Sequence, residues 1–219
     1  MSDVAVLARA PLFSALPEDA LDVVARASGD RRLERNDLLF RQGDPAAELF
    51  VVKTGRIAVA NRSPDGKESV VALMGPGDLL GEMSLFDRLG RSTDARALEQ
   101  STLVVVPFAP LRQVLEEQPR ILWKVVELLA GRLRATDEAL ADTVFLDVPG
   151  RTAKRLLDLA GDSDQFQLPV TQEELAGMVG ASRERVNKAI SAFVRLGWID
   201  QSDRRYRILD RAELERRAR

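Results

Sequence analysis

Residues 171–193 read TQEELAGMVGASRERVNKAISAF and predict two short helices joined by a tight turn. Thr171 with Glu174 three positions later is a capping-box pattern, which begins a helix at the next residue. Gly180 ends that helix, and Ser182 can cap a second one. Apolar residues at helical spacing give the second helix a buried face: Val186, Ala189, Ile190 and Phe193. Two short helices around a turn that contains glycine are typical of a helix-turn-helix.

The outward face of the second helix carries groups that can read base edges in double-stranded DNA. In a helix-turn-helix the first two turns of this helix enter the major groove, where Arg and Lys donate to guanine and Glu accepts from cytosine. Beyond it, residues 198–200 and 206–209 flank a basic turn and predict a two-stranded wing whose arginines face phosphates. The candidate DNA contacts are Gln172, Ser182, Arg183, Glu184, Arg185, Lys188, Arg204 and Arg205. The alternative is a charged helix that only faces solvent.

Charge and composition narrow the class of protein. Residues 1–149 hold 18 Lys and Arg against 23 Asp and Glu, a net −5, and residues 150–219 hold 14 against 11, a net +3. The basic C-terminal part fits an anionic partner. The chain has no Cys and no His, which excludes disulfides, Cys/His zinc sites, haem on a His or Cys, thiolate-held iron–sulfur clusters and a catalytic triad with His. With neither a signal-peptide pattern nor an apolar run of about 18 residues, the chain is expected in the cytoplasm, away from membranes.

The N-terminal part predicts a β domain after one helix over residues 12–27, with Pro17 early in that helix. From residue 33 to 106, short apolar runs alternate with turn residues, which favours a sandwich, barrel or jelly roll. The predicted strands lie at 38–40, 49–52, 57–59, 70–74 and 102–106, with a turn at 63–66.

Residues 119–147 predict one long helix, about 26 residues and roughly 39 Å. Its apolar residues recur in steps of four and three as a heptad seam: Leu122, Val126, Leu129, Leu133, Thr136, Leu140 and Thr143 or Val144. The seam favours a coiled-coil dimer, and the alternative is a helix that packs along its own β domain. Asp147 can cap the next helix, predicted over 151–160 and followed by a polar loop at 161–165.

The chain resembles the CRP/FNR family of bacterial transcription regulators along nearly its whole length. Residues 179–184, VGASRE, are similar to the family's recognition segment, and FLDV at 145–148 with Gly150 and Arg151 is similar to its hinge. The resemblance implies an α+β fold with three parts: a cyclic-nucleotide-binding β jelly roll (1–118), a dimerisation helix (119–147) and a winged helix-turn-helix (148–219). Lys188 stands where the family often has Arg, and Arg185 where it often has Thr, so the DNA half-site is expected to differ.

GDLLGEMS at 77–84, followed by RST at 91–93, resembles the family's phosphate-binding cassette. Gly81 allows backbone amides to approach an anion, Arg91 can neutralise a phosphodiester, and Ser92 can donate its hydroxyl. Glu82 can accept from a ribose 2′-OH, although Glu82 and Arg91 could instead form a structural ion pair. The nucleotide-binding candidates here are Gly81, Glu82, Met83, Arg91, Ser92 and Thr93.

By the same resemblance, the base is contacted by Thr136 of the long helix and by the next residue, Asp137, from the other subunit of the dimer. A carboxylate can accept from adenine N6 but also from guanine N1 and N2, so cyclic AMP is expected first and cyclic GMP stays an alternative. Asp137 could instead be a solvated residue that contacts no base, and a nucleotide-independent regulator of the same architecture is the other alternative. The family implies a homodimer that binds an inverted DNA repeat and contacts RNA polymerase, with no enzymatic activity. Its redox and gas sensors use iron–sulfur or haem chemistry, which this chain lacks the Cys and His to hold.

Overall fold

The computed structural model describes residues 2–63 and 68–219. The chain divides into two compact units, residues 1–67 with 71–133 and residues 134–219 with 68–70. The predicted turn at 63–66 lies outside the described residues except for Ser63. Within the described ranges, no helix combines the length and the apolar character that a membrane span requires.

The first unit opens with α1 (Asp3–Leu7), a 3₁₀ turn (Phe13–Ala15) and α2 (Glu18–Ala27). The single helix predicted over 12–27 is therefore wrong in its first half. Leu16 is extended, with ψ of 138°, because a residue that precedes a proline avoids the helical region. Pro17 is extended as well and stands just before α2.

A β domain of two four-stranded antiparallel sheets follows, which confirms the predicted β domain. Its elements are β1 (Gly29–Leu33), β2 (Leu38–Phe40), β3 (Glu48–Thr54), β4 (Ile57–Arg62), β5 (Glu68–Met74), β6 (Leu79–Leu80), α3 (Met83–Asp87), β7 (Asp94–Ala97), β8 (Ser101–Pro107) and the closing α4 (Phe108–Glu117). The strand orders are β1-β8-β3-β6 and β2-β7-β4-β5.

Strand β3 explains why residues 49–52 form a continuous apolar run. Successive side chains of a strand point to opposite faces. Leu49 and Val51 join one buried cluster with the N-terminal helices and α4, and Phe50 and Val52 join the other between the sheets. Both faces are covered, so the run does not alternate with polar residues.

The long helix begins after a 3₁₀ turn (Pro119–Ile121) as α5 (Leu122–Phe145), 24 residues in place of the predicted 26. Val125 is buried and Leu128 packs against the same cluster of the first unit. The apolar members of the predicted seam, from Leu122 to Val144, are instead exposed. One face of α5 therefore packs along its own β domain, while the seam face remains available.

The second unit holds a helix-turn-helix, a small sheet and a final helix. Its elements are α6 (Val148–Ala160), β9 (Gln165–Gln167), α7 (Gln172–Val179), α8 (Arg183–Arg195), β10 (Ile199–Ser202), β11 (Arg205–Ile208) and α9 (Arg211–Arg217). Asp147 caps α6 as predicted, since its Oδ1 accepts from Gly150 N at 2.9 Å.

The small sheet corrects the predicted two-stranded wing and the predicted loop at 161–165. Its strand order is β10-β11-β9, so the wing has a third strand that begins at Gln165. Phe166 lies opposite Tyr206 in this sheet, and their rings stack at 5.4 Å. That aromatic cross-strand pair stabilises a strand only three residues long.

Candidate functional site

The predicted cassette contains a sharp backbone turn at Gly81, between β6 and α3. Gly81 has a φ of +83°, which L side chains rarely adopt. A Cβ at this position would lie 2.4 Å from Nη1 of Arg91, far inside normal contact distance. Conformation and space therefore both require glycine. The close approach lets the Gly81 carbonyl accept a hydrogen bond from Nη1 of Arg91 at 2.9 Å.

Arg91 supplies the positive charge of the site, and only 5% of its surface is exposed. Its Nη2 donates to the Glu48 carbonyl at 2.7 Å, and its guanidinium carbon lies 4.5 Å from the centre of the Phe40 ring and 5.2 Å from that of Phe50. Burial lowers the pKa of Arg91, while the carboxylates of Glu48 and Asp44 raise it. Arginine stays charged in proteins. Its Nε is buried without a hydrogen-bond partner, so one donor of a fixed cation is unused.

The chain on either side of Arg91 is fixed by the turn at residues 43–44. Gly43 N donates to the Arg91 carbonyl at 2.8 Å, and Arg91 N donates to the Asp44 carbonyl at 2.9 Å. Ser92 is exposed next to this anchor, and Thr93 is half-buried. The Ser92 hydroxyl donates to Sδ of Met83 at 3.6 Å, which brings the two halves of the cassette together.

Glu82 is fully buried at the start of α3. Its Oε1 accepts from Nη1 of Arg132, and its Oε2 is buried with no hydrogen-bond partner. Burial raises the pKa of Glu82, while the charge of Arg132 lowers it. A buried carboxylate oxygen without a donor is destabilising, so a ligand that brings a hydroxyl donor here would be stabilised.

Arg132 of α5 is a candidate site residue that sequence reasoning missed. It pairs with Glu82, and its Nη2 donates to the Leu79 carbonyl at 2.6 Å. The expected alternative of an ion pair between Glu82 and Arg91 is not what forms, because Arg132 is the partner of Glu82. One sequence signal existed, since Arg132 precedes Thr136 by one helical turn and lies on the same side of α5.

Thr136 and Asp137 are exposed on α5. Both belong to the second unit, whereas the cassette and Arg132 belong to the first. Their contact with a base stays a prediction.

The helix-turn-helix has the local structure that its sequence predicts. Thr171 Oγ1 accepts from Glu174 N at 3.2 Å and a carboxylate oxygen of Glu174 accepts from Thr171 N at 2.6 Å, which completes the capping box. Gly180 is left-handed with a φ of +68°, and Ser182 caps α8 through Arg185 N. The candidate DNA contacts of α8 are all exposed on its first two turns: Arg183, Glu184, Arg185 and Lys188.

The wing arginines and Gln172 differ in their surroundings. Arg205 is exposed, whereas Nη2 of Arg204 donates to the Leu168 and Val170 carbonyls at 3.1 Å each. Nε2 of Gln172 donates to the Tyr206 hydroxyl at 2.8 Å, which ties α7 to the wing. Of these two arginines, Arg205 is the more available to a phosphate. The contacts of Arg204, Arg205 and Gln172 with DNA stay predictions.

Helix α6 is connected to its neighbours in the second unit by charged side chains. Nζ of Lys154 donates to Glu138 at 2.7 Å and to Asp142 at 2.8 Å, both on α5. Arg151 donates to the Leu146 carbonyl at 2.6 Å and to the Val179 carbonyl at 2.8 Å. The helix-turn-helix is thereby fixed to the C-terminal end of α5.

Comparison with known proteins agrees with this arrangement. Residues 30–118 match the family model of the cyclic nucleotide-binding domain, and residues 150–217 match that of the Crp-like helix-turn-helix domain. The chain is 37% identical to the CRP-like cAMP-activated global transcriptional regulator of Mycobacterium tuberculosis, over 98% of this chain and 99% of that protein.

Two solved structures are also similar. The catabolite activator protein of Thermus thermophilus is 31% identical, with a TM-score of 0.55, over 95% of this chain and 98% of that one. The c-di-GMP-responsive global regulator CLP of Xanthomonas campestris is 27% identical, with a TM-score of 0.76, over 88% of this chain and 99% of that one. These relatives are transcription regulators and not enzymes. The chain belongs to the CRP/FNR family of DNA-binding transcription regulators.

Proposed function

We propose that this protein is a cyclic-AMP-gated transcription regulator that binds an inverted DNA repeat as a homodimer. The observation that carries the proposal is two buried polar atoms without hydrogen-bond partners: the Nε donor of Arg91 and the Oε2 acceptor of Glu82. A cyclic nucleotide brings the two complementary groups, a phosphodiester anion and a ribose hydroxyl. The ligand named for the Mycobacterium tuberculosis relative supports cyclic AMP in particular.

The residues present fit such a ligand. Arg91 is held in place by two carbonyls and two aromatic rings, so its charge is already oriented and little side-chain entropy is lost on binding. The Ser92 hydroxyl is exposed beside it and can turn toward a phosphate oxygen. Arg132 orients the Glu82 carboxylate from α5 and so connects the nucleotide site with the long helix.

The exposed seam of α5 supports a homodimer. Leu133 and Leu140 are 63% and 64% exposed, and Val144 is 68% exposed. Exposed apolar residues in a pattern that lasts over three heptads are typical of a coiled-coil interface. A symmetric dimer carries two recognition helices, which read an inverted repeat when they lie about 34 Å apart. RNA polymerase stays a predicted partner, and the cytoplasm the predicted location.

The gating follows from where the nucleotide contacts lie. A ligand that binds Arg91 and Glu82 changes the surroundings of Arg132 on α5. It can shift the equilibrium between two positions of α5 only as far as its affinity for them differs. Base contact by Thr136 and Asp137 would add to this difference.

Isothermal titration calorimetry tests the proposal with cyclic AMP, cyclic GMP and cyclic di-GMP as ligands. We expect saturable binding of cyclic AMP to the parent protein and its loss in Arg91→Leu. Arg26→Leu is the matched control, because Arg26 is an exposed arginine in a surface pair with Asp22. Absence of cyclic AMP binding in the parent, or its persistence in Arg91→Leu, would refute the proposal.

Cyclic GMP is the second candidate ligand because of the Asp137 carboxylate. Tighter binding of cyclic GMP than of cyclic AMP would identify cyclic GMP as the ligand. Asp137→Asn distinguishes the two ligands further, since loss of the acceptor pair for guanine N1 and N2 weakens cyclic GMP more than cyclic AMP.

A further inference from the structure

The thioether of Met83 lies at the surface of the cassette. Met83 is the first residue of α3, next to the buried Glu82, and it is 43% exposed. Met74 and Met178, the other methionines among residues 2–63 and 68–219, are less exposed. The chain contains no Cys, so methionines supply all of its side-chain sulfur. An oxidant that reaches this protein therefore meets Met83 first among the described sulfur atoms.

The sulfur of Met83 is also in contact with a group that the nucleotide needs. The Ser92 hydroxyl donates to Sδ of Met83 at 3.6 Å. A thioether is a weak acceptor, so this hydrogen bond yields readily to a phosphate oxygen. Any change that makes the Met83 side chain a stronger acceptor would hold Ser92 back from the ligand.

We propose that Met83 is an oxidative modification site through which hydroperoxides lower nucleotide affinity; this rests on the proposed cyclic-nucleotide site. Sδ attacks one oxygen of hydrogen peroxide, so an S–O bond forms while the O–O bond breaks. The hydroxide that leaves takes the proton of the hydroxyl now bound to sulfur, so the products are methionine sulfoxide and water. The sulfur is oxidised by two electrons and the peroxide is reduced by two. Methionine sulfoxide reductases reverse this modification in cells.

The expected effect follows from the polarity of the sulfoxide. Its oxygen is a strong acceptor beside the Ser92 hydroxyl, and it adds a polar atom at the mouth of the cassette. The Ser92 hydroxyl then donates to the sulfoxide and not to the phosphodiester. A hydrogen bond to a charged group contributes enough that its loss weakens binding about tenfold or more.

The 219-residue protein is treated with hydrogen peroxide, and peptide mass spectrometry maps the oxidation of each methionine. Calorimetry then measures cyclic AMP binding before treatment, after treatment and after repair by the reductases. Met83→Leu, which cannot be oxidised at this position, and Met178→Leu, the matched control, are each compared with their own untreated samples. We expect Met83 to be oxidised before Met74 and Met178, and bound cyclic AMP to protect it.

The supporting result is a loss of affinity of about tenfold that the reductases reverse, that occurs in Met178→Leu and that is absent in Met83→Leu. Unchanged affinity in protein whose Met83 is fully oxidised would overturn the inference. Oxidation of Met74 or Met178 ahead of Met83 would also overturn it. Failure of the proposed function is distinguishable, because the untreated parent would then not bind cyclic AMP at all.

Discussion

Replacement of Gly81 by Ala tests whether this glycine builds the cassette. The added Cβ would lie 2.4 Å from Nη1 of Arg91, about 1 Å inside an ordinary contact of roughly 3.5 Å. The guanidinium would have to move, which disrupts its bond to the Gly81 carbonyl and strains the one to the Glu48 carbonyl. The left-handed backbone costs about 1 kcal/mol for Ala, and each hydrogen bond from a charged donor about 2 kcal/mol. The free energy of unfolding of the first unit should therefore fall by about 3 kcal/mol.

Urea unfolding followed by circular dichroism measures this change, and calorimetry with cyclic AMP measures its effect on binding. Gly180→Ala is the matched control. Gly180 is also left-handed, with a φ of +68°, but a Cβ there would meet no atom within 4 Å. Gly180→Ala should therefore lower the free energy of unfolding by the backbone strain alone, about 1 kcal/mol, and leave nucleotide affinity unchanged. An equal or smaller loss of stability in Gly81→Ala than in Gly180→Ala would contradict this prediction, as would cyclic AMP binding by Gly81→Ala equal to that of the parent.

Three further predictions concern α5, α6 and the wing. Lys154→Met should destabilise the second unit by about 1 kcal/mol at pH 7. Burial lowers the pKa of Lys154, but its bonds to carboxylates on α5 raise it overall. The stabilisation is therefore full below the ordinary lysine pKa of about 10.4 and is lost as the pH rises through the higher folded pKa, as pH-dependent urea unfolding can check. Leu140→Asp should convert the dimer into monomers in sedimentation velocity, because it places a charge in the apolar seam. Arg205→Ala should reduce the salt dependence of DNA binding by about one phosphate contact, whereas Arg204→Ala should mainly lower stability in urea unfolding.

Each of these has an outcome that would contradict it. A stability difference for Lys154→Met that persists above the folded pKa would show that charge is not its cause. An unchanged sedimentation coefficient for Leu140→Asp would show that Leu140 is not in a dimer interface. An equal salt slope for Arg205→Ala and the parent would exclude a phosphate contact by Arg205.

The sequence predicted best what depends on local patterns. The capping box at Thr171 and the left-handed Gly180 are set by neighbouring residues, and both have the predicted geometry. The apolar run of β3 and the length of α5 were likewise predictable from hydrophobic periodicity. At Gly81 and Arg91 the short spacing of the cassette was sufficient to place them together.

What the sequence could not predict depends on contacts between distant segments. Arg132 meets Glu82 across 50 positions, and only the packing of Val125 and Leu128 on the β domain brings it there. The strand β9 has three residues and forms because β11 pairs with it, so no periodicity could identify it. The backbone carbonyls that accept hydrogen bonds from Arg204 are equally distant in sequence.

We expect a nucleotide bound at Arg91 to control DNA binding. Fluorescence anisotropy of a labelled inverted-repeat duplex, selected from random sequence with the parent protein, measures DNA affinity with and without cyclic AMP. We expect cyclic AMP to tighten DNA binding by the parent protein and to leave DNA binding by Arg91→Leu unchanged. Equal DNA affinity of the parent with and without saturating cyclic AMP would contradict it.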